Sequence, residues 1–210
     1  MTTQAVLFDL LTALLDSWTV WNSAAGSPEA GRTWRAAYLR RTYGCGAYRP
    51  YEVLVAEAAV ETGLDDQAVQ RLESAWDDLA PWPEAASALQ ALVGRVKLGV
   101  VTNCSIELGR RAAKRLDIDW DVVITSEEAG FYKPDPAPYR LAMQRLGVDA
   151  ARTRFVAGSG YDLFGTEACG LLAYWHNRIG LARPDGAPAP DFQSPTLDAM
   201  PEWALRSTSP

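Results

Sequence analysis

Ala5-Val6-Leu7-Phe8-Asp9 is the stretch on which the fold reading rests. Four consecutive apolar residues ended by an acid describe a short strand buried on both faces, with Asp9 at its carboxyl end. Outward from it the pattern recurs. Val96–Thr102 is apolar and β-branched and runs into Asn103-Cys104-Ser105. Phe155–Ala157 runs into Gly158-Ser159-Gly160, and Val122–Thr125 and Leu171–Trp175 complete five candidate strands. Helices are expected between them: Glu84–Val93, Glu107–Leu116 with Ser105 as N-cap, and Pro136–Leu146 stopped at Gly147. Strands alternating with helices predict an α/β fold, a doubly wound parallel sheet covered on both faces. Ligands of such sheets sit beyond the carboxyl ends of the strands, where Asp9, Thr102-Asn103 and Ser159 fall.

The alternation stops between Trp18 and about Leu79. Arg32–Tyr43, Tyr51–Thr62 and Asp66–Leu79 read as helices split by Gly44-Cys45-Gly46 and Gly63. This predicts an inserted helical lobe: residues 17–81 form a cap, and residues 1–16 with 82–210 form the core. Ala80-Pro81-Trp82-Pro83 is its return hinge. The chain from Pro184 onward reads as an irregular wrap with a short final strand or helix.

Composition narrows the function. The 210 residues are 48% hydrophobic, ample for one sizeable core, and the net charge is −6. An acidic surface argues against nucleic acid or an anionic membrane as partner, so an anionic small substrate needs a focused cationic site. The three cysteines, Cys45, Cys104 and Cys169, lack CxxC spacing and read as reduced thiols in a cytoplasmic protein. No leader-like segment and no bilayer-length apolar run is seen.

Asp9 is the leading candidate for chemistry. A strand-end carboxylate, partly desolvated and rigidly held, suits a nucleophile, although a lone strand-end Asp is more often a helix cap. Lys133, in Glu128-Ala-Gly-Phe-Tyr-Lys-Pro-Asp-Pro, would keep such a carboxylate ionised, although a Lys-Pro alone is more often a solvated turn. Thr102-Asn103 offers a hydroxyl, an amide and helix-start N–H groups for an anion. Asp162 can orient Lys133 or ligate a metal, or simply favour a helix N-terminus.

Strand-Asp, strand-Thr, Lys-Pro and strand-Gly-x-Gly-x-Asp in that order resemble the haloacid dehalogenase superfamily over essentially the whole chain. The resemblance implies a Rossmann-like core with a cap inserted after the first strand. Within the superfamily the chain is most similar to the L-2-haloacid dehalogenases. Phe8-Asp9 followed by Asp16 looks like their first motif. Trp34-Arg35 resembles the cap Trp-Arg whose guanidinium holds the substrate carboxylate or departing halide. Lys133-Pro-Asp with Tyr139 matches their third motif, and Trp175-His-Asn-Arg178 their late strand. His176, the only histidine, falls at a non-catalytic position there. The implied reaction is hydrolytic dehalogenation of a short 2-halo carboxylic acid through an ester on Asp9. Lys133 and Asp162 would be catalytic, and Thr12, Arg35, Thr102, Asn103, Tyr139 and Ser159 would bind substrate.

The superfamily's phosphatases carry an acid two residues after the nucleophile and a Mg²⁺-binding Asp in the fourth motif; here these positions are Leu11 and Gly158. Both favour a cofactor-free and metal-free dehalogenase, with Mg²⁺ expected only if the chain were a phosphatase. From the dehalogenase pattern the chain departs at Thr12-Ala13, where Gly-Thr is usual, and at Ala157 and Ser159, where Ser and Asn are usual. The enzyme alternative is a divergent phosphatase or hydrolase of a small phosphorylated metabolite, and the altered Thr12-Ala13 and Ala157 keep open a catalytically silent binding protein. A homodimer is a further expectation, because two-fold dimers are common.

Overall fold

The computed structural model of the chain describes residues 2–207. Six strands, β1 (Ala5–Phe8), β2 (Lys97–Thr102), β3 (Val122–Thr125), β4 (Thr153–Ala157), β5 (Leu172–His176) and β6 (Phe192–Ser194), form one sheet in the order β3-β2-β1-β4-β5-β6. Every neighbouring pair is parallel. Successive residues of β1 point to opposite faces, as a pleated strand requires. Val6 and Phe8 meet α5 (Ala85–Gln90), α6 (Ile106–Ala113) and α10 (Met200–Leu205); Ala5 and Leu7 meet α8 (Pro136–Leu146), which follows the short α7 (Ser126–Ala129), and α9 (Asp162–Cys169). The chain places β2 and β3 on one side of β1, then jumps across to β4. This reversal opens a crevice at the carboxyl end of β1, so Asp9 lies where a doubly wound sheet binds ligands.

Four helices leave the sheet after β1: α1 (Ser17–Ala25), α2 (Pro28–Gly44), α3 (Tyr51–Glu61) and α4 (Asp66–Ser74). The first has a local cause. Asp16 accepts a hydrogen bond from Thr19 N at 3.1 Å and one from Thr19 Oγ1, which caps α1. Ser27 caps α2, with Pro28 at its first position. A chain of aromatic contacts runs through these helices, from Trp34 to Trp21, Tyr38, Tyr51 and Trp76. Each such pair is worth about 0.5–1.5 kcal/mol beyond its buried area. Trp76 joins this lobe to the core by donating from Nε1 to the Leu108 carbonyl at 2.9 Å.

The way out and the way back lie side by side. Leu15 pairs with Pro81 as an antiparallel bridge, Asp16 N donates to the Ala80 carbonyl, and Trp82 N donates to the Leu14 carbonyl. Several elements differ from their expected bounds. Helix α1 was not anticipated, and α2 starts at Pro28 rather than Arg32. The expected helix Asp66–Leu79 ends at Ser74 and resumes as a 3₁₀ turn over Trp76–Asp78. Helix α6 stops at Ala113 rather than Leu116. The C-terminal wrap holds both a strand, β6, and a helix, α10.

Candidate active site

Asp9, Lys133 and Asp162 come from three elements and meet beneath the helical lobe, 6, 3 and 4% exposed. Lys133 Nζ lies 2.8 Å from Asp9 Oδ1 and 2.9 Å from Asp162 Oδ1. The other Asp9 oxygen, Oδ2, accepts from Thr12 N (3.0 Å), Thr12 Oγ1 (2.7 Å) and Ala13 N (3.1 Å). The two oxygens are therefore unequal. Oδ2 is saturated by three donors, while Oδ1 keeps lone-pair capacity beside Lys133.

Burial pushes the Asp9 carboxyl up, but the Lys133 charge and the Lys133 and Thr12 hydrogen bonds outweigh it and leave it below the ordinary carboxylate value. Burial depresses Lys133, yet Asp162 and Asp9 together hold it above the ordinary lysine value. Asp162 goes the other way: burial and the Asp9 charge raise it against the pull of Lys133. Two carboxyls on one ammonium are thus driven apart, one toward a stable anion and one toward a more basic group.

Asp9, Lys133 and Asp162 line a chamber of about 50 Å³ with Thr12, Arg35, Asn103 and Ser159. At about 10–15 Å³ per water, it holds about four waters, the scale of a two-carbon acid. Arg35 is buried, donates to Ser17 Oγ at 2.8 Å, and stacks on Trp18 with its guanidinium carbon 4.2 Å from the ring centre. Among the described residues no carboxylate forms an ion pair with it; the Asp9 charge acts on it only across the chamber, and burial pulls the guanidinium below its ordinary value. A wider apolar space of about 260 Å³ adjoins the chamber through Thr12, Arg35, Leu39, Ser159 and Tyr161.

The remaining expected site residues divide. Asn103 lines the chamber and fixes the lysine segment, donating from Nδ2 to the Lys133 carbonyl and accepting from Lys133 N. Ser159 lines it and donates from its backbone N to Asp162 Oδ2 at 3.3 Å. Thr102 does not reach it: the side chain is fully buried against Cys104, because the strand turns it inward one residue before the opening. Tyr139 does not reach it either. It is fully buried on α8, and its hydroxyl donates to Asp162 Oδ1 at 3.2 Å from behind. Expected as substrate contacts, both stand instead one layer back. Arg178 is also elsewhere, in an ion pair with Glu84 at 2.6 Å. Sequence reasoning missed the aromatic wall of Trp21, Tyr38, Tyr43 and Tyr51.

The family profile of the haloacid dehalogenase-like hydrolases matches residues 5–170 of this chain. The chain belongs to the haloacid dehalogenase-like hydrolases. Among similar proteins are the haloacetate dehalogenase H-2 of Moraxella sp. (strain B), 28% identical over 94% of this chain and 96% of that protein, and the (S)-2-haloacid dehalogenase of Pseudomonas putida, 28% identical over 97% of each. The L-2-haloacid dehalogenase structure from Xanthobacter autotrophicus superposes with a TM-score of 0.81 at 25% identity, over 95% of this chain and 97% of that one.

Within this family of hydrolases, the residues present do not suit a divalent cation. Mg²⁺ demands near-octahedral oxygen ligation. The two chamber carboxylates converge on the Lys133 ammonium, and the Leu11 side chain offers no oxygen. A side chain at Gly158 has no room, because a Cβ there would lie 2.3 Å from Ala13 N. The described residues hold no cluster of three or more potential ligands, and none of the described helices is long and apolar enough to cross a membrane.

Proposed function

We propose that this hydrolase removes halide from short 2-halo carboxylic acids through an ester on Asp9. The observation that carries the reading is an ionised carboxylate and a buried arginine held in no ion pair, lining one small chamber. Residues 17–81 act as the cap that closes this chamber over the core.

In the first step Asp9 Oδ1 attacks C2, the C–halogen bond breaks, and the halide leaves with its electron pair. Arg35 neutralises the anionic end that faces it, carboxylate or departing halide, as a planar guanidinium does well. Oδ1 is the attacking atom because Oδ2 has three donors already. In the second step water adds to the Asp9 carbonyl carbon. Asp162, the other chamber acid and the more basic of the two, takes a proton from that water. The charge developing on Oδ2 meets Thr12 N, Thr12 Oγ1 and Ala13 N, an oxyanion hole already in place. The bond to Oδ1 then breaks, Asp162 returns the proton to the departing alkoxide, the water's second proton leaves the new Asp9 carboxyl for solvent so that Asp9 is again an anion, and the 2-hydroxy acid leaves. Thr12 supplies the hydroxyl that its relatives' pattern places one residue later.

The test is halide release from chloroacetate, fluoroacetate and 2-chloropropionate with and without a chelator. Chelator-insensitive release that Asp9→Asn abolishes is expected. No release from any of the three, by protein that retains Asp9, sinks the reading.

A further inference from the structure

The three donors to Asp9 Oδ2 lie on a loop, and two of them are backbone N–H groups whose aim depends on how their peptides are turned. Two side chains remote in sequence grip that loop by its carbonyls. Trp82 Nε1 donates to the Thr12 carbonyl at 3.0 Å. His176 Nδ1 lies 2.7 Å from the Ala13 carbonyl. Gly158 closes a third side, with no space for a Cβ against Thr12 and Ala13. The loop is therefore held from behind, and its N–H groups face Asp9.

His176 is fully buried at the end of β5, and its ring stands edge-on to Trp82 at 6.2 Å. Its other nitrogen, Nε2, faces the Pro195 carbonyl at 3.2 Å and Glu84 Oε1 at 3.9 Å. Glu84 is already engaged by Arg178 at 2.6 Å and by Leu197 N at 3.2 Å. Burial holds the imidazole below its ordinary value against the pull of the two carbonyls, so at neutral pH the ring is neutral and carries one proton. Both nitrogens face acceptors, and the shorter contact is the one to Ala13.

We infer that Trp82 and His176 are positioning residues: each donates a hydrogen bond to a carbonyl of the Thr12-Ala13 loop and thereby fixes the oxyanion hole that stabilises hydrolysis of the Asp9 ester. Neither touches substrate, since neither lines the chamber. This rests on the ester route proposed above. Releasing the loop weakens the donors to Oδ2. That matters most in the second step, when Oδ2 gains charge, and little in the first, when Oδ1 attacks. Losing one oxyanion donor outright costs about 10²–10³ in rate, so a donor misaimed rather than lost should cost about tenfold or more.

The experiment uses Trp82→Phe, His176→Leu and His176→Asn in the full chain, with chloroacetate as substrate. Asparagine places an amide nitrogen where Nδ1 sits; leucine does not. Pre-steady-state halide release and intact mass are measured together. Trp82→Phe and His176→Leu should release a burst of halide at near wild-type rate, then turn over about tenfold more slowly while the Asp9 ester accumulates, with KM within about threefold. His176→Asn should restore most of the turnover. Equal slowing of burst and turnover, or His176→Asn as slow as His176→Leu, overturns the inference. Should His176→Leu fail to fold, nitrogen NMR of the single imidazole in the wild type decides: a proton on Nδ1 supports the clamp, and a bare Nδ1 with a proton on Nε2 removes it. If wild type itself forms no Asp9 ester, the ester route has failed, and the clamp's role falls with it.

Discussion

Replacing Lys133 with methionine keeps the chain length of the side chain and deletes its charge. Asp9 and Asp162 then face each other without the ammonium that both touch, at 2.8 and 2.9 Å. Their oxygens lie within about 6 Å of each other, which at an effective dielectric of about 20 is a repulsion of roughly 3 kcal/mol. That agrees with the roughly 3–5 kcal/mol lost when one partner of a buried pair is removed. For a chain of this size the melting temperature should fall by about 6–20 °C. The loss has a pH signature. In the variant both carboxyls titrate above their unfolded values, so ionising them costs stability at neutral pH, and the cost fades as pH falls through the raised values. Lys133→Met should therefore gain stability relative to wild type as pH falls from neutral into the acid range. Wild-type Asp9 behaves oppositely: its depressed value contributes stability at neutral pH that is lost only in stronger acid. Thermal melts across that range, with halide release in parallel, test this. A variant that melts with wild type at every pH, or keeps full turnover, refutes the ion triad as the centre of the site.

Arg35→Ala should lower kcat/KM for chloroacetate tenfold or more, given about 1.5–3 kcal/mol for a hydrogen bond to a charged group. Arg35→Lys should rescue little of it, because an ammonium cannot both bond Ser17 and stack on Trp18; steady-state kinetics decide. The pH profile of turnover should fall on the acid side through Asp162, raised above its ordinary value, and on the alkaline side through Lys133, above the ordinary lysine value. A profile flat through the weakly acidic region would remove Asp162 as the base. Gly158→Ala should destabilise the fold by roughly 1–3 kcal/mol through the clash with Thr12 and Ala13, read by urea denaturation.

The sheet was legible because short buried strands ending in polar residues leave a strong local mark, and Pro136–Leu146 matches its helix because a proline start and a glycine stop bound it. Helix α1 escaped although Asp16 and Thr19 carry an N-cap signal; the expected helices of the lobe begin only at Arg32. Asp9, Lys133 and Asp162 could be placed on one sheet edge from their order. What order could not give is which side chains turn inward. Thr102 and Tyr139 share segments with true lining residues, but sit one layer back. The aromatic wall was invisible for the opposite reason: Trp21, Tyr38 and Tyr51 fall at helical spacings that read as ordinary core. Trp82 and His176 reach the Thr12-Ala13 loop from 70 and 163 residues away, a separation that leaves no local pattern.

The proposed reaction turns on Asp9, not water, attacking C2 of the substrate. A single turnover of chloroacetate by excess enzyme in oxygen-18 water tests it most directly. Attack through Asp9 Oδ1, with water adding afterward to the Asp9 carbonyl carbon, puts the heavy oxygen into the Asp9 carboxylate and leaves the hydroxyl of the first-turnover product unlabelled. Heavy oxygen in that hydroxyl, with Asp9 unlabelled, would contradict it.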